Sequence, residues 1–259
     1  GNSSLIDAGC IVPMIKTRSL CKSYGDKAAV IDLDLDIGAG ECFCFLGPNG
    51  AGKTTTIKML TGLLTPTSGS ADVAGYNIIK NPTEAKQAIG YIPDHPYLYE
   101  KLSGRDFATF VGDLFGISRK IQEERIGTYF ELFRLGHAMD DFIENYSHGM
   151  RQKLVFATSL LHEPEVLIID EPMVGLDPQS ARTIKKLIRD QVGNNRTVFL
   201  STHTLSVAEE VADKIGVINN GHIMFLGTIS ELRRELAHDG SLEDMFLDLT
   251  GEDSERVGT

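Results

Sequence analysis

At residues 45–55 the chain reads Phe45-Leu46-Gly47-Pro48-Asn49-Gly50-Ala51-Gly52-Lys53-Thr54-Thr55, which matches the pattern G-x-x-x-x-G-K-[ST] at every fixed position. The mostly apolar run at 41–46 predicts a buried strand before it, and residues 56–64 predict a helix after it. A glycine-rich turn between a strand and a helix N-terminus lets consecutive backbone N–H groups converge on phosphate oxygens, and the helix adds positive potential. The run therefore predicts a binding site for a nucleoside triphosphate.

Two side chains of this run have predicted chemical roles. Lys53 is expected to neutralise charge on the β- and γ-phosphates, and the Thr54 hydroxyl to bind Mg²⁺. The other predicted contacts to the nucleotide are Gly47, Pro48, Asn49, Gly50, Ala51, Gly52 and Thr55.

The composition limits the class of protein. The chain has 259 residues, which fits one large or two small domains, and its 42% hydrophobic content is ample for a packed core. Its formal net charge of −11 argues against non-specific nucleic-acid binding, which needs a basic face.

No uncharged run approaches the roughly 18 residues that a membrane span requires, and residues 1–13 lack the regions of a signal peptide. Any role at a membrane is therefore expected to come through a partner.

The cysteines do not have the spacing of a zinc site. Cys42 and Cys44 alternate with phenylalanines in a predicted strand, so both are expected to project from one face. All four cysteines, which include Cys10 and Cys21, are interpreted as free thiols, and a reducing compartment follows.

Strand and helix signals alternate along most of the chain, which predicts an α/β fold. Residues 14–24 are interpreted as an edge strand, and residues 28–37, in which apolar and acidic residues alternate, as a half-exposed antiparallel strand. Between 103 and 161 the strand signals vanish and apolar residues recur at helical spacing, which predicts a helical insertion. Within it, Ser147 is a good N-cap for a further helix. Asn220-Gly221 predicts a hairpin near the end of the chain.

A second group of polar residues follows the run 166–169, whose β-branched and leucine residues are typical of a central parallel strand. Asp170 and Glu171 end this strand, where ligands bind in open α/β sheets. Asp170 is expected to reach Mg²⁺, directly or through water, and Glu171 to orient or deprotonate the attacking water. His203 follows the next predicted strand, so it is expected at the same edge of the sheet. There it can hydrogen-bond the γ-phosphate and hold Glu171 and the water in place.

These motifs together resemble the ATP-binding cassette family, the nucleotide-binding subunits of ABC transporters, and the resemblance covers about 15–236. Residues 47–54 resemble the family's Walker A loop, and 166–171 resemble its Walker B strand with the catalytic glutamate. Residues 175–178 resemble the D-loop, which adds Asp177 to the predicted nucleotide contacts.

The resemblance also gives roles to two single residues. His203 resembles the switch histidine of the family, and with Lys53 and Glu171 it completes the predicted catalytic set. Tyr24 sits where the family has an aromatic residue that stacks on adenine, a contact worth about 1–3 kcal/mol in comparable base–aromatic stacks.

The most diagnostic run is Tyr146-Ser147-His148-Gly149-Met150-Arg151-Gln152, which resembles the signature sequence, usually L-S-G-G-Q, with Ser147 and Gly149 kept. Its departures resemble the form found in export-type and multidrug-type cassettes, and they are Tyr146, His148 and Met150. In the family, the signature serine and its helix N-terminus bind the γ-phosphate that the other subunit's Walker A loop holds. The resemblance therefore implies a head-to-tail homodimer with two ATP molecules between the subunits.

Two further positions depart from the family pattern. Asp94 stands where the family usually has a glutamine that senses Mg²⁺ and relays to the membrane subunit. A carboxylate is a hard oxygen ligand and can still reach the metal, but it is shorter and charged. Met173 replaces a common threonine, and this change is interpreted as neutral.

The resemblance implies a P-loop NTPase core, with a mixed, mostly parallel sheet, helices on both faces, an antiparallel β edge and an inserted α-helical subdomain at about 100–162. One nucleotide-binding domain is expected over 14–240, with an N-terminal extension at 1–13 and an acidic tail at 241–259. The expected function is the binding and hydrolysis of ATP, with Mg²⁺, to power a separate polytopic membrane subunit of an exporter. The expected location is cytoplasmic, peripheral on the inner face of the cell membrane through that partner, with no nucleic acid bound.

Two other functions stay open at this point. A soluble ATPase of this type can act on assembly, repair or translation machinery, but such proteins tend to carry two cassettes, coiled-coil insertions or basic arms. A regulatory nucleotide-binding module with little turnover could lose either Glu171 or His203, and both are present.

Overall fold

Strands and helices alternate along residues 13–235, which are the residues that the computed structural model describes. The strands are β1 (Ile15–Tyr24), β2 (Lys27–Ile37), β3 (Cys42–Leu46), β4 (Ser68–Val73), β5 (Tyr76–Asn77), β6 (Ile89–Ile92), β7 (Val166–Asp170), β8 (Thr197–Thr202), β9 (Lys214–Asn219) and β10 (His222–Gly227). The helices are α1 (Lys53–Leu60), α2 (Pro82–Ala88), α3 (Gly104–Leu114), α4 (Arg119–Leu132), α5 (His148–Ser159), α6 (Pro178–Gly193), α7 (Leu205–Val211) and α8 (Ile229–Glu235). The predictions for Cys10, for the extension before residue 13 and for the acidic tail lie outside the described residues, and the limits 14–240 stay a prediction.

The central sheet has six strands in the order β10-β9-β3-β8-β7-β6. Its neighbours are parallel, except that β10 runs antiparallel to β9. Every residue of β3 and β7 is buried, as expected for strands that are covered on both faces. Leu46 pairs with Thr202, and Asp170 pairs with Ser201. The residues that follow β3, β7 and β8 therefore meet at one edge of the sheet, as the sequence predicts.

The two faces of β3 pack against different layers. Phe43 and Phe45 each contact the ring of Phe199, at 5.5 Å between ring centroids, in the core shared with α1 and the antiparallel sheet. Cys42 and Cys44 lie in the core on the opposite face, with residues of α4, α5, α6 and α7. Both are free thiols, which confirms the prediction, and burial raises the pKa of Cys42 to about 12.

The second sheet is antiparallel and has the order β2-β1-β4-β5. The alternation predicted for residues 28–37 is confirmed, since the leucines of β2 are buried and its aspartates are exposed. The prediction of β1 as an edge strand is wrong, because β1 lies between β2 and β4. The strand β4 reads Ser-Gly-Ser-Ala-Asp-Val, and such small and polar residues give little local sign of the pairing that covers β1.

A helical insertion separates β6 from β7 and contains α3, α4 and α5, together with short 3₁₀ turns at Gly136–Ala138 and Ile143–Asn145. Phe130 and Phe133 are buried against Phe156 of α5, so the insertion has its own share of the core. Ser147 is the N-cap of α5, and its Oγ accepts a hydrogen bond from the backbone N–H of Met150 at 3.3 Å. The predicted insertion and its cap are confirmed.

The first helix differs in its limits from the predicted helix at 56–64. It begins at Lys53, because Gly52 in the left-handed region (φ +116°) turns the backbone directly into the first helical residue. It ends at Leu60, and Gly62 (φ +66°) closes the helix end in the conformation that glycine adopts without strain.

The hairpin at Asn220-Gly221 is confirmed, with both residues at positive φ, 47° and 81°. It packs beside the glycine-rich loop, since the Gly221 N–H donates to the carbonyl oxygen of Ala51 at 2.9 Å. Within residues 13–235, no helix is both long enough and apolar enough to cross a membrane.

Candidate functional site

The glycine-rich loop connects β3 to α1 and leaves no room for side chains at two of its glycines. A methyl group at Gly47 would lie 2.3 Å from the carbonyl oxygen of Ile218, and one at Gly52 would lie 2.5 Å from that of Ala29. The loop is therefore wrapped tightly between β9 and β2, with its backbone N–H groups at the N-terminus of α1. This is the arrangement that binds anionic oxygens.

Lys53 is the first residue of α1 and is only 5% exposed. Its Nζ donates hydrogen bonds to the carbonyl oxygens of Gly47 and Pro48, at 2.6 and 3.0 Å. The same nitrogen lies 3.6 Å from Oε1 of Glu171. The positive charge is thus held inside the curve of the loop, next to the carboxylate predicted to act on water.

Glu171 occupies a strained position directly after β7. Its φ of +46° lies in the left-handed region, which is strained for a residue with a side chain and persists only where the surrounding structure holds it. Its Oε2 accepts a hydrogen bond from Nδ1 of His203, at 3.0 Å. Among the described residues, its buried Oε1 has no hydrogen-bond partner. One carboxylate oxygen is therefore positioned by His203, and the other is free to accept a proton or a hydrogen bond.

Asp170 ends β7 and is buried. Burial raises the pKa of its carboxyl group, against the opposing effect of hydrogen bonds from the hydroxyls of Ser201 and Thr54. Ser201 also accepts a hydrogen bond from the backbone N–H of Glu171, at 3.3 Å, so it supports both acidic residues. Ser201 was not among the residues predicted from the sequence. Its position near the end of β8, two residues before His203, could have indicated that it lies at the same sheet edge.

The residues proposed to hold Mg²⁺ are neighbours. Thr54 contacts Asp170, and Asp94 lies near enough to raise the pKa of Asp170 further. Asp94 lines the same cavity as Thr54 and also contacts Nδ1 of His95, at 2.8 Å. Over residues 13–235 there is no group of three or more His, Cys, Asp or Glu arranged for a metal. A hydroxyl with one or two carboxylates fits Mg²⁺, which takes its remaining ligands from phosphates and water.

A cavity of about 410 Å³ opens above the loop. Tyr24, at the end of β1, stands at its rim with 51% of its surface exposed and with the Lys22 ammonium 5.4 Å from the ring centroid. Asn49, Gly50, Gly52, Lys53, Thr54, Thr55, Asp94 and Glu171 also line it. The lining residues that the sequence reading missed are Lys27, Ala28, Ala29, Asn220 and Gly221, which only the packing of β2 and the hairpin brings there.

Six of the predicted nucleotide contacts are not among the residues that line this cavity, although three of them, Gly47, Pro48 and Ala51, belong to the adjacent loop. Of the residues that the structure describes, Ser147, Gly149 and Asp177 are not among those lining it. Ser147 and Asp177 are exposed N-caps, of α5 and α6. Hydrogen bonds from the Ser180 hydroxyl and from backbone N–H groups lower the pKa of Asp177. Within one chain, the visible role of Ser147 and Asp177 is to cap helices, and Gly149 lies in the first turn of α5.

The fold and the site define a class. A glycine-rich loop joins a buried parallel strand to a helix, and two carboxylates end a nearby strand at the same sheet edge, which is the architecture of a P-loop nucleotide-binding protein.

Comparisons with known proteins narrow this class. The family model described as ABC transporter matches residues 30–174. The chain is 39% identical over 222 residues to the uncharacterized ABC transporter ATP-binding protein YxlF of Bacillus subtilis, covering 86% of this chain and 73% of the relative. It is 38% identical over 222 residues to the daunorubicin/doxorubicin resistance ATP-binding protein DrrA of Streptomyces peucetius, covering 86% and 67%. The chain belongs to the ABC transporter family, as an ATP-binding subunit.

A solved structure of the ATP-binding subunit of an ABC transporter has the same fold. It superimposes with a TM-score of 0.86 at 31% identity, covering 91% of this chain and 99% of the other. Hydrolysis of ATP is the activity of this family.

Proposed function

We propose that this chain is the ATP-hydrolysing subunit of an exporter and that it drives a separate membrane subunit. The observation that carries the proposal is the position of Glu171. One of its oxygens is held by His203, and the other lies 3.6 Å from the Lys53 ammonium at the mouth of the glycine-rich loop, with no hydrogen-bond partner among the described residues. A carboxylate in this setting can take a proton from water that attacks the terminal phosphate.

Each residue at the sheet edge has a distinct task in this mechanism. The loop backbone and Lys53 bind the β- and γ-phosphates and neutralise their charge. Glu171 orients the water and accepts its proton, and His203 keeps the carboxylate in place. Bound Mg²⁺ supplies further charge neutralisation on the phosphates, and the residues that would hold it are Thr54, Asp170 and Asp94.

Tyr24 is proposed to stack on the adenine base. Replacing Tyr24 with alanine should raise KM for ATP about tenfold and change kcat less than about twofold, because the lost stack is remote from the reacting phosphate. Steady-state ATPase kinetics measure both constants. Tyr24→Phe keeps the ring and is expected to behave like the parent. An unchanged KM for Tyr24→Ala would remove the stacking role.

The second half of each site is proposed to come from a partner copy. Ser147 and Gly149 lie at the exposed N-terminus of α5, which is suited to bind an anion but does not face this chain's own cavity. In a head-to-tail homodimer each α5 N-terminus would close the partner's site, and Asp177 would lie at the same interface.

This arrangement makes turnover depend on protein concentration. ATPase activity per subunit should be low in dilute protein and rise as ATP-dependent dimers form, because a monomer lacks Ser147 and Gly149 at its bound γ-phosphate. Activity measured across a dilution series, with sedimentation in the same buffer, tests the claim. Activity per subunit that stays flat through the range of dimer formation would overturn the sandwiched dimer.

An apolar groove is proposed as the docking site for the membrane subunit. It has a volume of about 410 Å³ and lies between the six-stranded sheet and the helical insertion. Tyr97 at its rim is 95% exposed and Leu63 is 60% exposed, while Phe107 and Val111 form part of its wall. Large exposed apolar side chains around a concave surface are typical of protein contacts.

Replacing Tyr97 with serine should reduce capture of the chain by membranes that carry the partner about tenfold, because large aromatic side chains that become buried in an interface contribute much of its binding energy. Affinity for ATP should not change. The matched control is Leu226→Ser, on β10, where the parent side chain is 50% exposed outside the groove. Co-sedimentation with partner-containing membranes makes the comparison, and equal capture of Tyr97→Ser and the parent would place the docking surface elsewhere.

Export is supported by the relatives, of which DrrA is named for daunorubicin and doxorubicin resistance. The proposed location is the cytoplasmic side of the cell membrane, held there by the membrane subunit. Recovery of a polytopic membrane protein together with this chain from membranes tests the proposal. Failure to recover one would favour the alternative, a soluble ATPase that acts on assembly, repair or translation machinery.

A further inference from the structure

His148 stands between the two signature residues Ser147 and Gly149, in the first turn of α5, and it contacts a segment far away in sequence. Its ring covers Gly175, so that a methyl group at Gly175 would lie 2.8 Å from both Cδ2 and Nε2 of His148. Gly175 has a φ of +72°, a conformation that side chains disfavour. The ring of His148 therefore fills the space in which a side chain at Gly175 would lie.

A second contact joins the helical insertion to the same segment. Arg134 follows α4, and Gln179 lies in the first turn of α6. With the Gln179 amide oriented to satisfy its partners, its oxygen accepts hydrogen bonds from both terminal nitrogens of Arg134, at 2.9 and 3.2 Å. The segment 175–179, which contains Asp177, is thus held by the insertion at both of its ends.

We infer that His148 is a positioning residue that fixes the α5 N-terminus relative to the segment 175–179. The inference rests on the proposed function, in which both elements face the ATP of a partner copy. A backbone with glycine at positive φ has few intrinsic restraints, and the covering ring restricts it. With the ring in place, Ser147, Gly149 and Asp177 are presented to the partner as one preorganised surface, which lowers the entropic cost of forming the dimer.

The test measures dimer formation separately from hydrolysis. In the Glu171→Gln background, sedimentation equilibrium with ATP gives the dimer Kd, and titration of dilute monomer with a fluorescent ATP analogue gives nucleotide affinity. His148→Ala should raise the dimer Kd about tenfold and leave monomer affinity within about twofold. His148→Phe keeps a ring over Gly175 and should restore the dimer Kd. His137→Ala, an exposed histidine on the same insertion, is the matched control and should have no effect.

A double-mutant cycle links the effect to Gly175. A methyl group at Gly175 collides with the His148 ring only when the ring is present, whereas the strain from positive φ is the same in both backgrounds and cancels. Gly175→Ala should therefore weaken the dimer several-fold more in the parent than in His148→Ala. Thermal denaturation of each variant checks that the fold is kept.

The outcomes separate the two proposals. If the Glu171→Gln parent forms no ATP-dependent dimer, the sandwiched dimer of the proposed function fails, and the positioning role fails with it. If the parent dimerises and His148→Ala dimerises equally well, or if the cycle is additive, the positioning role alone is overturned.

Discussion

Replacing Glu171 with glutamine is expected to lower ATP turnover by about 10²–10⁴-fold, the usual contribution of a general base. The amide keeps the size of the side chain and can still interact with His203, but it cannot accept a proton from water. Binding of ATP should persist, because Lys53 and the loop backbone are unchanged. The variant should therefore accumulate as an ATP-bound dimer that the parent forms only transiently.

The measurements are the ATPase rate and the oligomeric state with ATP, followed by size-exclusion chromatography. The matched control is Glu165→Gln, an exposed glutamate just before β7, which should keep the parent rate. Parent-like turnover in Glu171→Gln would show that another group activates the water. Loss of turnover without any trapped dimer would agree with Glu171 as the general base but would contradict the sandwiched dimer.

Replacing Lys53 with alanine is expected to remove most of the affinity for ATP. Hydrogen bonds to charged groups contribute about 1.5–3 kcal/mol each, and two lost phosphate contacts correspond to at least about a 100-fold rise in Kd. Because Lys53 is only 5% exposed, water cannot easily take the place of its ammonium group and restore the lost phosphate contacts. Titration with a fluorescent ATP analogue measures the change directly.

Lys58 provides the control for this variant, because it is an exposed lysine at the other end of the same helix. Lys58→Ala should bind ATP like the parent. Thermal denaturation is needed as well, since Lys53 bonds to two carbonyl oxygens of the loop and its loss alters the local structure. Near-parent affinity in folded Lys53→Ala would mean that the loop backbone alone holds the phosphates.

The two variants therefore separate binding from chemistry. Glu171→Gln should bind ATP and fail to hydrolyse it, and Lys53→Ala should fail at the binding step. The contrast follows from the geometry, in which Lys53 lies inside the loop and Glu171 lies 3.6 Å away with an oxygen that has no hydrogen-bond partner among the described residues.

Local sequence predicted the elements that carry a strong local signal. The glycine-rich loop, the buried strands before Gly47 and Asp170, the cap at Ser147 and the hairpin at Asn220 depend on neighbouring residues, and their chemistry is readable within a few positions. The place of β1 was predicted wrongly because its second partner, β4, pairs with it through contacts distant in sequence and contains few strand-forming residues.

By itself, the sequence predicted which residues bind phosphate and which can act on water, because such roles depend on residue type and spacing. Only the tertiary structure decided that one oxygen of Glu171 is hydrogen-bonded to His203 while the other has no hydrogen-bond partner among the described residues, that Ser201 supports Asp170, and that the hairpin forms a wall of the cavity. It also placed the His148 ring over Gly175. These contacts join residues that are distant in the chain, so they are determined by packing and strand register and not by the local sequence pattern.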